Sequence, residues 1–199
     1  MNPNQPHTLP PTYFDEVYRA NTDPWNFETS PYEQTKYADT VSALRTEPYA
    51  SGFEVGCSLG VLTQLLAPKC RQLLAIDVAE APLVRARQRC AHLPQVEFQR
   101  MTLPEEFPTD RCFDLVVLSE VGYYWAMPDL QQTSAKLLEA LLPGGHLLLV
   151  HWTPAVHDYP LTGDEVHDFF LSHTAEAGPL RHVHGHRAPQ YRLDLLARR

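Results

Sequence analysis

Paired cysteines are what this chain most plainly lacks. Its four cysteines, Cys57, Cys70, Cys90 and Cys112, stand far apart with no Cys-x-x-Cys among them. That spacing excludes a zinc ribbon and gives no disulfide framework, so the thiols read as reduced side chains of a cytoplasmic protein. No apolar run is long enough to span a bilayer, and Met1 is not followed by a basic, then apolar, cleavable segment. Basic residues are also short: 16 Lys and Arg face 24 Asp and Glu, a formal charge of -8. Such a balance argues against a nucleic-acid groove or an anionic membrane surface as the partner. No internal repeat or break in composition divides the 199 residues. One domain over residues 12–199 is expected behind a flexible, polar, Pro-rich arm of residues 1–11.

What the chain does carry is a glycine loop, Gly52-Phe53-Glu54-Val55-Gly56-Cys57-Ser58-Leu59-Gly60. A short apolar strand runs into a small-residue turn and then into an apolar helix. Gly56 and Gly60 have no Cβ, so backbone can approach a ligand and the helix can close on the strand. Glu54 lies near the strand's carboxyl end, where open α/β sheets bind ligands. A dinucleotide site would need Gly-x-Gly-x-x-Gly to aim a helix N-terminus at a pyrophosphate. Here Ser58 and Val61 break that pattern, and an acid two residues before the first glycine suits a positively charged amino group better than phosphate.

Strands and helices alternate along the rest of the chain. Thr12 is a cap for a helix over 13–20, and Ser30-Pro31-Tyr32-Glu33 opens a helix running to about 45. Together they form a helical segment over 12–46 that can act as a lid or simply cover the sheet, with Trp25 and Phe27 in the turn between them. After the loop come a helix at 61–66, a buried strand at 72–77 ending in Asp77, and a helix at 80–90. Strands follow at 96–100 and 113–118, a helix at 129–142, and a strand at 146–151 after Leu142-Pro143-Gly144-Gly145. Thr162 and Glu165 make a capping box for a last helix, and segments 180–183 and 191–196 pair as an antiparallel hairpin. The architecture expected is a three-layer αβα doubly wound, Rossmann-like sheet with a C-terminal hairpin and N-terminal helical lid. Asp77 stands where nucleoside-binding α/β folds place an acid on ribose hydroxyls.

Four of these segments, in order, resemble class I S-adenosylmethionine (SAM)-dependent methyltransferases: the glycine loop, Asp77, the Phe113-Asp114 strand and the Leu142–Gly145 turn. A narrower likeness rests on longer words: Asp23-Pro24-Trp25 with Phe27-Glu28-Thr29, Tyr32-Glu33-Gln34-x-Lys36-Tyr37, Ser119-Glu120-Val121-x-Tyr123-Tyr124, and Tyr159-Pro160-Leu161-x-Gly163-Asp164-Glu165-Val166-His167. These resemble the NodS-like family, named for the nodulation enzyme that N-methylates the free amine of a partly deacetylated chitooligosaccharide. The resemblance implies that Glu54, Gly56, Cys57 and Gly60 contact the methionine part of SAM, and Asp77 its ribose. It implies further cofactor contacts at Val78, Met101, Thr102, Leu103 and Ser119. Thr102 departs from the family's usual acid near the adenine amine.

SAM is already activated, so the protein must align the acceptor, exclude water and let the acceptor lose a proton. Candidates for that work are Glu120 and Tyr124 after the fourth strand and His151 at the end of the fifth; each also has a purely structural alternative, as a cap, packing or a rim hydrogen bond. Trp25, Tyr32, Trp152 and Tyr159 suit a substrate-stacking or cofactor-covering surface. His182-x-His184-x-His186 would share one face of a regular strand, but solvent-facing histidines account for the run better than metal, so no metal site is expected; His151 with His157-Asp158 is weaker still. The expected activity is methyl transfer to a small-molecule amine, with a free-amine amino sugar in view. The alternatives are O-methylation, a SAM-binding sensor without turnover, and a nicotinamide-dependent reductase, for which no hydride site is evident.

Overall fold

The computed structural model describes residues 7–199. Its strands are β1 (Gly52–Val55), β2 (Leu73–Asp77), β3 (Val96–Arg100), β4 (Phe113–Ser119), β5 (Leu141–Trp152), β6 (Leu180–Arg187) and β7 (Tyr191–Arg198). They form one sheet in the order β3-β2-β1-β4-β5-β7-β6, parallel from β3 to β5 and antiparallel through β7 and β6. The order reverses between β1 and β4, which opens a crevice at their carboxyl ends. The helices are α1 (Pro11–Ala20), α2 (Pro31–Ser42), α3 (Val61–Leu66), α4 (Glu80–Arg89), α5 (Met127–Ala140) and α6 (Gly163–Ser172).

β1, β2 and β4 are buried on both faces, Asp114 alone being partly exposed, because helices cover both sides of a parallel sheet. Phe53, Val116, Leu118 and Leu149 alternate onto one core; Leu115, Val117, Leu148 and Val150 alternate onto the other. This is the doubly wound three-layer architecture that the alternation of elements predicts. The hairpin is longer than expected, but pairs as expected.

Three local expectations differ. Thr12 lies inside α1, whose N-cap is Pro10, because the fixed φ of Pro11 already suits a first helical turn. α5 ends at Ala140, since Leu141 turns extended and pairs with Phe113; β5 therefore begins before the Pro143-Gly144-Gly145 excursion, not after it. The pairing of β6 shifts between His182 and His184. That bulge puts His182 opposite Leu196 but His184 opposite Leu195, so the three histidines do not share a face. Ser30 and Thr162 do cap as expected, each accepting from the backbone N–H three residues on.

Of the arm expected over 1–11, residues 1–6 lie outside the described residues, while the part beyond Thr8 is tied to the fold. Leu9 N–H donates to the Tyr124 carbonyl at 2.9 Å, and Thr8 Oγ1 donates to Asp129 while accepting from Ala126 N–H. The turn between α1 and α2 is fastened as well. The Asp23 carboxylate accepts from Phe27 and Glu28 N–H, and Glu28 pairs with Arg85 and Arg89 of α4.

Candidate active site

The carboxyl ends of β1, β2 and β4 open into a cavity of about 290 Å³ roofed by α1 and the turn after it. Phe14, Tyr18, Trp25 and Phe27 form the roof, and Tyr37 reaches in from α2. The floor is the glycine loop. Gly56, Ser58 and Gly60 all have positive φ (76°, 49° and 73°). A Cβ on Gly56 would lie 2.1 Å from Val121 Cγ2, and one on Gly60 2.9 Å from Ala86 Cβ. The two glycines thus allow close approach of the β4 exit and of α4. Gly56 and Cys57 N–H both donate to the Ile76 carbonyl, which pins the loop to β2. Ser58, in its left-handed geometry, holds the Tyr18 hydroxyl at 2.5 Å, a contact between residues 40 positions apart that no local pattern marks.

Two buried carboxyls lie at this floor. Glu54 is 1% exposed, and its Oε2 has no hydrogen-bond partner among the described residues. Burial pushes its pKa up to about 7, with Thr63 opposing and the Asp77 charge adding. Asp77 accepts from Ser58 N–H and Ala79 N–H, each at 2.9 Å. Burial raises it to about 6 against the pull of those backbone donors. Glu105, Glu120 and Asp129 also line the cavity, whereas no Lys, Arg or His among the described residues does. Among the described residues the wall thus holds five carboxyl groups, Glu120 being paired with Lys36 behind it, and no lining cation, an arrangement that favours a positively charged occupant and disfavours phosphate.

Of the residues expected at the cofactor, Glu54, Gly56, Cys57, Asp77, Val78, Met101, Thr102, Leu103 and Ser119 all line the cavity; Gly60 sits behind it against α4. Thr102 N–H donates to Glu106 at 2.7 Å, which ties down that part of the wall.

The catalytic candidates separate. Glu120 has φ 58°, rare for a non-glycine residue. Its Oε1 accepts from Lys36 at 2.6 Å, and its Oε2 from Trp152 N–H at 3.0 Å and from the Tyr123 hydroxyl. Lys36, only 2% exposed, also bonds Glu33 at 3.0 Å. With three donors on two oxygens, Glu120 is a junction between α2, the β4 exit and β5. A free base it is not. Tyr124 lines the cavity as a neutral phenol, since burial and Tyr159 push its hydroxyl pKa well up. His151 is fully buried outside the cavity, with one ring nitrogen on Gly122 N–H and the other on His167. Its place in the strand turns it toward α6, so it cannot meet an acceptor.

Of the expected substrate aromatics only Trp25 lines the cavity. Tyr32 packs edge-on to Trp152 and Tyr191, and Tyr159 stacks on Tyr123, 5.1 Å between centroids. These rings brace the α2 and β4-exit junctions from behind. Lys36, Tyr18 and Tyr37, which sequence reading left as packing or motif residues, lie nearer the site.

The profile of the Nodulation protein S (NodS) family matches residues 16–150. Nodulation protein S of Rhizobium tropici is 35% identical over 134 residues, 65% of this chain and 55% of that protein; this chain spans little more than half the length of the curated relatives it matches. A solved structure described as a putative methyltransferase from Pseudomonas syringae is 34% identical, with a TM-score of 0.70 over 84% of this chain and 99% of that one. The N-methyltransferase NodS from Bradyrhizobium japonicum WM9, solved in complex with S-adenosyl-l-homocysteine (SAH), shares the fold with a TM-score of 0.81 at 24% identity, over 94% of this chain and 98% of that one.

Proposed function

The chain belongs to the NodS family, and from that premise we propose that it transfers the methyl group of SAM to the neutral nitrogen of a small-molecule amine. The observation that carries this reading is the cavity wall, with five carboxyl groups and no lining cation among the described residues. A sulfonium cofactor with an ammonium group is drawn to such a wall. The pyrophosphate of a nicotinamide cofactor is disfavoured there.

The residues fit SAM. Glu54 Oε2, buried without a partner among the described residues, would receive the amino group of its methionine part, and Asp77 its ribose hydroxyls. Val78, Met101 and Leu103 offer apolar contact for the adenine, and the Thr102 hydroxyl can accept from its amine. When bound, SAM supplies a methyl group on a positively charged sulfur leaving group. The work left to the chain is positional. Phe14, Tyr18 and Trp25 exclude water from above. Tyr124, neutral at working pH, can hold the acceptor by its hydroxyl, and Glu120 keeps the β4 exit in place rather than taking a proton. An acceptor nitrogen held there would attack with its lone pair only when neutral, and after transfer would release its extra proton to solvent. An amine with a pKa near neutrality, such as that of glucosamine, needs no strong base for this.

An amino sugar or a chitooligosaccharide with a free terminal amine is the acceptor class to test first, as the family supports. The four free thiols favour a cytoplasmic setting, and no described helix is long and apolar enough to cross a membrane. Calorimetry with SAM, SAH and NADPH tests the cofactor half. SAM and SAH should bind in the micromolar range, with loss of about tenfold or more in Asp77→Ala, and NADPH should not bind. NADPH binding without SAM binding would overturn the assignment.

A further inference from the structure

The word Gly163-Asp164-Glu165-Val166-His167 and the end of β5 meet behind the cavity in a line of polar groups that methyl transfer does not touch. His151 and His167 are both fully buried. Gly122 N–H donates to His151 Nε2 at 3.1 Å, His151 Nδ1 lies 3.1 Å from His167 Nε2, and His167 Nδ1 lies 2.7 Å from Asp194 Oδ2. Asp194 also receives Arg192 Nε at 2.9 Å and His182 Nε2 at 2.7 Å.

The two ends of the line fix every proton between them. A carboxylate surrounded by donors can only accept, so His167 carries its proton on Nδ1. Neutral His167 then presents a bare Nε2, which takes the Nδ1–H of His151. That leaves His151 Nε2 with the lone pair that Gly122 N–H needs. Burial keeps both imidazoles neutral; at His151 the neighbouring imidazole adds to this, and at His167 the Asp194 charge opposes it. One protonation pattern satisfies the whole line, and a buried network satisfied in only one way is rigid.

The far end of the line is the turn that serves the site. A Cβ on Gly122 would lie 2.6 Å from Val166 Cγ1 and 3.0 Å from His151 Nε2, so the turn is seated as close as glycine allows. The next two residues are Tyr123, whose hydroxyl donates to Glu120, and Tyr124, which lines the cavity.

We propose that Asp194, His167 and His151 are positioning residues for this site: Asp194 sets the tautomer of His167, His167 sets that of His151, and His151 Nε2 holds the turn that presents Tyr123 and Tyr124. The kinetic consequence rests on the methyl-transfer reading above; the tautomer does not. A second proton on His167 would force His151 to carry Nε2–H, donor against donor at Gly122. The groups facing His151 are His167 from α6, Tyr123 from the turn and Lys36 from α2; those facing His167 are Asp194 and Arg192 from β7 and Asp164 on its own helix.

The test pairs imidazole ¹⁵N spectra with kinetics. Near neutral pH the wild type should show His151 protonated on Nδ1 and bare on Nε2. His167→Gln keeps both contacts, its oxygen accepting from His151 and its amide donating to Asp194, and should keep that tautomer and most of kcat. His167→Phe should lose the defined tautomer and about tenfold or more in kcat, with SAH affinity within about twofold of wild type. The proposal is overturned by an Nε2–H tautomer or an imidazolium at His151 in the wild type, by equal losses in the Gln and Phe variants, or by SAH affinity falling in step with kcat. The wild-type spectrum requires no variant, so it decides the matter even if His167→Phe does not fold. Absence of turnover in the wild type with every amine would defeat the functional reading alone, and the wild-type spectrum and the tautomer comparison of the two variants would still decide the relay.

Discussion

Replacing Glu54 with Gln should stabilise the ligand-free protein and at the same time weaken its hold on SAM. The side chain is 1% exposed, Oε2 has no partner among the described residues, and burial lifts the pKa to about 7 from an ordinary 4.5. A folded-state value above the unfolded one means that the folded chain holds the proton more tightly. The stability this contributes is fully present below the unfolded value, pH 4.5, and is lost as pH rises through about 7. At about 1.4 kcal/mol per pH unit between those two values, the loss comes to about 3 kcal/mol by about pH 8. Gln has no charge to desolvate, so Glu54→Gln should recover most of this near pH 8 and little near pH 4.5. For a chain of this size that is a rise in Tm of about 5 to 10 °C at the higher pH. The same change removes the charge proposed to receive the ammonium of SAM, worth about tenfold to a hundredfold in affinity. Thermal unfolding at the two pH values, with SAH calorimetry alongside, reads both effects. A pH-independent Tm difference would refute the buried-charge argument, and unchanged SAH affinity would refute the role given to Glu54.

Lys36→Met leaves Glu33 and Glu120 facing each other without their shared cation, and denaturant unfolding should show a loss of about 3 to 5 kcal/mol. Gly60→Ala must adopt a φ of 73° and bring a Cβ within 2.9 Å of Ala86 Cβ; a loss of about 2 kcal/mol in chemical unfolding, with weaker SAH binding, is expected. Thr162→Ala removes the α6 cap and should cost about 1 kcal/mol, which Thr162→Ser should restore.

The sheet was legible because its strands and helices carry different apolar periods, and the cofactor loop because glycine spacing encodes backbone conformation directly. Nine of the ten residues named for the cofactor line the cavity, the loop residues through that spacing and Val78, Met101, Thr102, Leu103 and Ser119 through the family resemblance. Side-chain direction at strand exits was not legible. His151 stands near the end of its strand, as its position indicates, but it is buried behind the cavity, because which way it points depends on α6, which follows it in the chain. Glu120 reads as a free acid until its donors are seen, and Lys36, 84 positions away, is one of them. Tyr32, Trp152 and Tyr159 show that aromatic content marks a packed junction as readily as a binding surface. His182, His184 and His186 are exposed, as expected, and only their shared face was not legible. A β-bulge adds one residue to one strand, and nothing in the composition of Arg181-His182-Val183-His184 marks where it falls.

The central claim, methyl transfer from SAM to a neutral amine, is tested most directly by single-turnover mass spectrometry. The protein is mixed with SAM and either a chitooligosaccharide bearing a free terminal amine or its fully N-acetylated counterpart. One methyl should be gained per turnover on the nitrogen of the free-amine oligomer, with SAH formed in equal amount and no methylation of the acetylated oligomer. Methylation of both oligomers alike, or methyl transfer confined to an oxygen, would contradict the claim.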